Sequence, residues 1–247
     1  MVNLMEQGCI ALGVGVGMRI EYLVARTRRL FAVRVVSLTH ATVSAILVVL
    51  SLLFDSNYVK HPVEYSSPTA QYVFLWSMGY FSYDLFDMIY HGEGWSSKEY
   101  LIHHTLVITV FVIIMITGRL TGFAMIGLLV EIQTVLMHLR SLLHLAGYAQ
   151  SSFFRLLVSA NMTLLFIFRH IPISYLLYFM LFKDDQVNVV LKAALVGGLS
   201  FIEYHNCHLT VAMWKTDGFF GSKVTDLSED DVDPLGALKK DDEKKSQ

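Results

Sequence analysis

Charge is scarce in this 247-residue chain. Only 16% of its residues are Asp, Glu, Lys or Arg, against about 25% in soluble domains. No basic stripe runs along it, so no nucleic-acid partner is expected. Cysteine is nearly absent: Cys9 and Cys207 stand far apart without CxxC spacing, which excludes a disulfide framework. The four prolines leave long stretches free of helix breakers. Phosphate loops, GxSxG elbows and HExxH motifs are all missing.

In their place stand long apolar runs, with hydrophobic residues making up 54% of the chain. A transmembrane helix needs about 20 such residues to cross about 30 Å of hydrocarbon. Candidates are 4–25, 33–54, 70–90, 100–117, 121–143, 153–182 and 187–214. They predict an all-α membrane protein, a multi-pass bundle of six to seven transmembrane helices. The first is the poorest, Gly-rich and ending near Arg19 and Glu21; a signal peptide is its rival reading. The sixth contains Pro172, where a kink or a break into two half-helices is expected. Short loops between the segments favour antiparallel neighbours.

Lys and Arg near the segment ends give the orientation. Arg26, Arg28, Arg29 and Arg34 put the first linker in the cytosol, with Lys98, Arg140, Arg155 and Lys215 on the same side. Lys60, Arg119 and Lys183 fall on the opposite side. Three regions follow: an N-terminal helix and basic linker over 1–33, a membrane domain over 34–214, and a charged cytosolic tail over 215–247. From Lys215 onward six lysines stand against nine acidic residues. That composition cannot bury enough apolar surface to offset chain entropy, so disorder is expected there.

The informative residues are those a bilayer rejects. A charge at mid-bilayer costs about 2.5–3.5 kcal/mol on insertion scales, so it persists when paired, facing a cavity, or functional. Asp84 and Asp87 share a helical face with Tyr80. His103 and His104 are adjacent and point about 100° apart on a helix. One suits acid–base work while the other orients a neighbour. Glu131 is the deepest acid, and an ion pair with Arg169 across helices is expected. His40 completes the set. Together His40, Asp84, Asp87, His103, His104, Glu131 and Arg169 are candidates for a polar, lipid-binding cavity. His103, His104 and Asp84 are the candidates for any catalytic role. Ten histidines invite a di-iron reading, but one HH and one HxxH (His205 to His208) fall short of repeated HxxHH clusters. No metal centre and no cofactor is expected.

The stretches VVSLTHATVS, SMGYFSYDLFDMI, KEYLIHHTLV, GLLVEIQTVLMHLR and NMTLLFIFRHIP, in this order over Arg34 to about Trp214, resemble the TLC domain. The likeness is strongest to small TLC domain-containing proteins that regulate plasma-membrane phospholipid composition and fluidity. That resemblance implies a multi-pass protein limiting incorporation of long-chain polyunsaturated acyl chains into phospholipids. Its partners would be membrane phospholipid or acyl chains, and no synthetic step is implied. Ceramide synthases, the enzymatic branch, share an HH pair, matched by His103 and His104. Their His-Asp…Asp signature is missing from VEIQTVLMHLR, although Glu131 stands near it. Acyl-CoA-dependent acyl transfer is therefore the alternative. Resemblance points to the plasma membrane. The terminal KKSQ, a dilysine pattern, points instead to the endoplasmic reticulum.

Overall fold

A computed structural model describes residues 2–92 and 98–217, with side chains described over 27–92 and 98–215. The charged tail from 218, with its KKSQ end, lies outside the described residues. Among the described residues every regular element is helical. Helix α1 spans Val2–Phe54, followed by the short α2 (Asn57–Lys60), α3 (Pro68–Tyr90) and α4 (Lys98–Thr117). Then come α5 (Thr121–Gly127), α6 (Val130–Leu145), α7 (Ser152–Leu165), a π-helical turn (Phe166–His170), α8 (Ile171–Phe182) and α9 (Val189–Asp217).

Four stretches are long and apolar enough to cross a membrane: 27–54, 98–117, 121–145 and 152–182. This is an all-α membrane protein. Its outer surface is apolar, with Phe54, Phe86, Ile116, Leu156 and Ile171 each mostly exposed. Such a surface suits lipid tails, which are as apolar as the side chains themselves. Helices α3 and α9 are of spanning length but fall outside those four. Helix α3 carries Asp84 and Asp87, and α9 carries Lys192, Glu203, His205, His208 and Lys215.

Two expectations need correction. No loop separates the first two expected segments, because α1 runs on through the arginine-rich stretch 26–34. Arginine is a good helix former, and no Gly or Pro lies between Arg26 and Phe54 to stop the helix. At Pro172 the helical span is continuous over 152–182, and a π turn interrupts its α-helical bonding without a break into two separate half-helices. The proline lacks an N–H and its ring crowds the carbonyl four residues back. The preceding turn widens instead: the Ile171 N–H reaches the Phe166 carbonyl, five residues away. That π turn absorbs the misfit and carries Arg169, which the chain buries.

Local signals fix the remaining ends. Ser67 caps α3 by accepting from the Thr69 N–H, with Pro68 in the first turn. Ser151 caps α7 by accepting from the Phe154 N–H at 3.1 Å. Helix α1 packs along α6 and α3, α3 along α4, and α8 along α9. The main apolar core gathers Val48, Phe74, Phe111, Met125, Leu176 and Leu195 from six of these helices. Where α5 crosses the segment after α2, Gly122 lets the backbones touch. A Cβ there would lie 2.1 Å from the Tyr58 carbonyl oxygen and 2.7 Å from Pro62 Cα.

Candidate functional site

Two cavities lie inside the bundle. The polar chamber, about 210 Å³, is walled by α1, α3, α4 and α6, with Arg169 and His205 completing it. The seven residues His40, Asp84, Asp87, His103, His104, Glu131 and Arg169 all line it. The second cavity, about 180 Å³, is almost wholly apolar, with Val107, Phe111, Phe123, Leu176, Leu195 and Gly198 among its walls. Phe81, His103, Val130, Glu131 and Arg169 line both.

The helix directions give the pair an axis. On α4 the polar chamber takes Tyr100 to His104, and the apolar cavity runs on from His103 to Ile113. On the antiparallel α5–α6 pair the order reverses: Phe123 to Glu131 is apolar and Val130 to His138 is polar. The polar chamber therefore lies toward the bundle end bearing Arg29 and Lys98. The apolar cavity extends toward the opposite end.

Within the chamber, His40 is held on three sides. Its Nε2 lies 3.1 Å from Ser44 Oγ and 3.3 Å from Ser77 Oγ. Its ring stacks on Tyr80 with centroids 4.0 Å apart, and the Tyr80 hydroxyl donates to Ser37 Oγ at 2.9 Å. His40 Nδ1 faces Glu131 Oε2 at 4.0 Å, beyond hydrogen-bond range. Glu131 is only 5% exposed, and its Oε2 is buried without a hydrogen-bond partner.

The two aspartates divide their roles. Asp87 Oδ2 accepts from Arg29 Nη2 at 2.6 Å, and its Oδ1 lies 3.3 Å from His91 Nδ1. This cluster closes the chamber's end. Asp84 sits deeper, with Oδ2 3.2 Å from His104 Nδ1, a close contact that lacks hydrogen-bond geometry. His103, one residue along, turns away from that carboxylate. Its ring stacks toward His205 at 6.2 Å, and its Nδ1 is buried without a hydrogen bond. The adjacent histidines thus serve different neighbours, while both reach the chamber.

Arg169 does not pair with Glu131 as expected. Its guanidinium donates to Gln133 Oε1 (2.5 Å), Thr134 Oγ1 (2.9 Å) and Asn206 Oδ1 (3.3 Å). Gln133 in turn donates to Asn161 Oδ1 at 2.8 Å. Neutral oxygens from α6 and α9 hold this arginine. Glu131 and Gln133 sit about 200° apart on α6, so one face of that helix cannot offer both to the guanidinium.

Arg34, Ser37, Tyr100, His138 and His205, outside that set of seven, also line the chamber. A signal for the α1 members was present. Arg29, Val33, Ser37, His40 and Ser44 recur every three to four residues, one stripe on an otherwise apolar helix. Among the described residues one other donor group gathers, His170, Glu203 and Cys207, with ligand atoms within 4.8 Å of one another. Both nitrogens of His170 are already engaged, Nδ1 with Glu203 (2.6 Å) and Nε2 with Thr210 (2.9 Å). The group fits a strut tying the π turn to α9.

The TLC domain family matches residues 30–215, which hold all of the apolar cavity and all of the polar chamber except Arg29. The chain belongs to the TLC domain family. TLC domain-containing protein 2 from Danio rerio is 28% identical over 194 residues, 78% of this chain and 79% of the relative. The same-named protein from Mus musculus is 29% identical over 66% of this chain and 53% of its own length. TLC domain-containing protein 1 from Gallus gallus is 30% identical over 61% of this chain and 60% of its own. The chain thus spans between about half and four-fifths of each of these TLC proteins. No solved structure matches it.

Proposed function

We propose that this TLC-domain protein binds phospholipid or its acyl chains within the bundle and so regulates membrane phospholipid composition. In this reading it limits incorporation of long-chain polyunsaturated acyl chains, and with it membrane fluidity. One observation carries the proposal: a polar and an apolar cavity share a wall made of Phe81, His103, Val130, Glu131 and Arg169. An amphiphile needs that order, a few convergent polar groups beside an apolar trough. Helices α3 and α9 join the four apolar stretches as spans, giving six crossings. The working location is the plasma membrane.

Lipidomics of deletion cells fed a polyunsaturated fatty acid tests the reading. Polyunsaturated phospholipid should rise on deletion and fall again on re-expression. An unchanged lipidome would end it.

Acyl transfer is the second reading, favoured by the 3.2 Å approach of His104 Nδ1 to Asp84. A carboxylate this close favours the imidazolium that forms when an imidazole takes a proton, which is the electrostatic part of general-base work. Purified protein given labelled acyl-CoA with a sphingoid base or a lysophospholipid should then form product. Absence of turnover on both acceptors removes this reading.

A further inference from the structure

The polar chamber contains three arginines and three carboxylates, but they do not all meet as ion pairs. Arg29 takes Asp87. Asp84 lies against His104, and Glu131 faces His40. Those histidines are neutral partners, so Asp84 and Glu131 keep their place in the chamber beside two arginines that meet neither as an ion pair. Among the described residues Arg34 makes no ion pair, although it lines the chamber half-buried within a membrane helix. Arg169 is 8% exposed and held only by neutral oxygens. A guanidinium has five N–H donors, and three of those on Arg169 are in use. Two N–H groups of a buried cation therefore remain, in the wall where the polar and apolar cavities meet.

Glu131 lies in the same wall without touching Arg169, and the unused N–H groups of a buried guanidinium are costly, a cost that a bound anion removes. The guanidinium fork matches a phosphate, with two oxygens accepting in parallel. Carboxylate ligands match it too, but a fatty acid carries its charge at the end of one chain. The chamber, at about 210 Å³, exceeds a carboxyl group and accommodates a larger polar head.

We propose that the polar chamber is a phosphate-binding site, with Arg34 at its outer part and Arg169 at its junction with the apolar cavity. The phosphate of a phospholipid head is the source consistent with the lipid-handling reading, on which this inference rests. Free phosphate and acyl-CoA carry the same chemistry.

Full-length protein in nanodiscs would be titrated with four probes: dioleoylphosphatidic acid, dioleoylglycerol with the same chains, oleoyl-CoA, and inorganic phosphate. Bound probe is counted by native mass spectrometry. Phosphatidic acid should bind and dioleoylglycerol should not compete with it. Arg34→Gln should weaken the phosphate-bearing lipid about tenfold or more, the loss of one charge-assisted hydrogen bond. Arg34→Lys should recover most of that loss. Arg169→Lys, which keeps the buried charge, is the second variant, should Arg34 lie too far out to dominate. Equal binding of dioleoylglycerol and phosphatidic acid, unmoved by either variant, overturns the phosphate site and leaves lipid handling standing. Arginine-dependent binding of inorganic phosphate or oleoyl-CoA with no phospholipid bound keeps the site and overturns the phospholipid reading. No binding of any probe overturns both.

Discussion

His40 and Tyr80 stack face to face, with ring centroids 4.0 Å apart and planes 11° from parallel, and so join α1 to α3 across the polar chamber. The same tyrosine ties back to α1 through Ser37. His40→Ala removes the stack and both serine contacts together. A loss of about 2–3 kcal/mol is expected, combining a ring pair with two modest hydrogen bonds. Tyr80→Phe keeps the ring and deletes one bond, costing about 1 kcal/mol. Thermal unfolding in nanodiscs should order the Tm values wild type, Tyr80→Phe, His40→Ala. The reverse order would mean the stack holds nothing.

Gly198 lines the apolar cavity, and a Cβ built on it meets no atom within 4 Å. The space beside it is room for a chain. Gly198→Leu should fill that space and favour shorter or less bent acyl chains among co-purified lipids. Mass spectrometry of those lipids gives the chain distribution. A folded variant with the wild-type distribution would show that chains do not enter there.

Gly122 behaves oppositely. A Cβ would run into the Tyr58 carbonyl and Pro62, both backbone, which cannot rotate aside. Leu120 N–H to Val63 carbonyl (2.7 Å) and Phe123 N–H to Pro62 carbonyl (3.0 Å) lock the same crossing. Gly122→Ala should cost about 1–3 kcal/mol, the usual range for overpacking. Chemical denaturation of the reconstituted protein measures it, with Gly79→Ala, which meets nothing, as the control.

Gln133 links Arg169 to Asn161, accepting from the first and donating to the second. Gln133→Leu keeps the volume but strands a buried cation and a buried amide. Each orphaned group costs about 1–3 kcal/mol. Gln133→Glu retains an acceptor for Arg169 and should be milder. If both variants unfold alike, the network is not what holds the arginine.

Asp55, just past the end of α1, accepts from the Tyr65 hydroxyl and from the Asn57 N–H. The Tyr65 bond, followed by the backbone one, holds this carboxyl below its ordinary value of 3.8. A lowered folded value stabilises the fold above the ordinary value and is lost as pH falls through the lower one. Stability should therefore be flat near neutrality and decline in acid below about pH 4. Tyr65→Phe should lower the neutral plateau and flatten that acid slope, so that variant and wild type converge in strong acid. An identical slope in the variant would assign the acid loss to other groups.

The helices were largely legible because a bilayer leaves little choice. Runs read at 70–90, 100–117 and 153–182 appear as 68–90, 98–117 and 152–182. Backbone groups in lipid must bond within their own segment, so an apolar run of that length becomes a helix. Continuity was harder to read. Arginines at 26–34 set topology on paper, yet they also propagate helix, and in α1 the second property prevails.

The seven polar residues illustrate the same division. That they are few, intramembrane and expensive follows from the sequence, and expense alone sends them inward to one interior. Their partners do not follow. Helical periodicity places Glu131 and Gln133 on opposite faces of α6 but cannot say which face meets the π turn. Packing put Gln133 there, left Glu131 facing His40, and brought Arg34 into a chamber wall. Pairing across helices depends on rotation about each helix axis, which the whole bundle fixes at once. The sequence by itself determined a TLC-type membrane bundle with ionisable groups inside it. Only the tertiary structure decided which charges meet as ion pairs, and that a polar chamber and an apolar one share a wall.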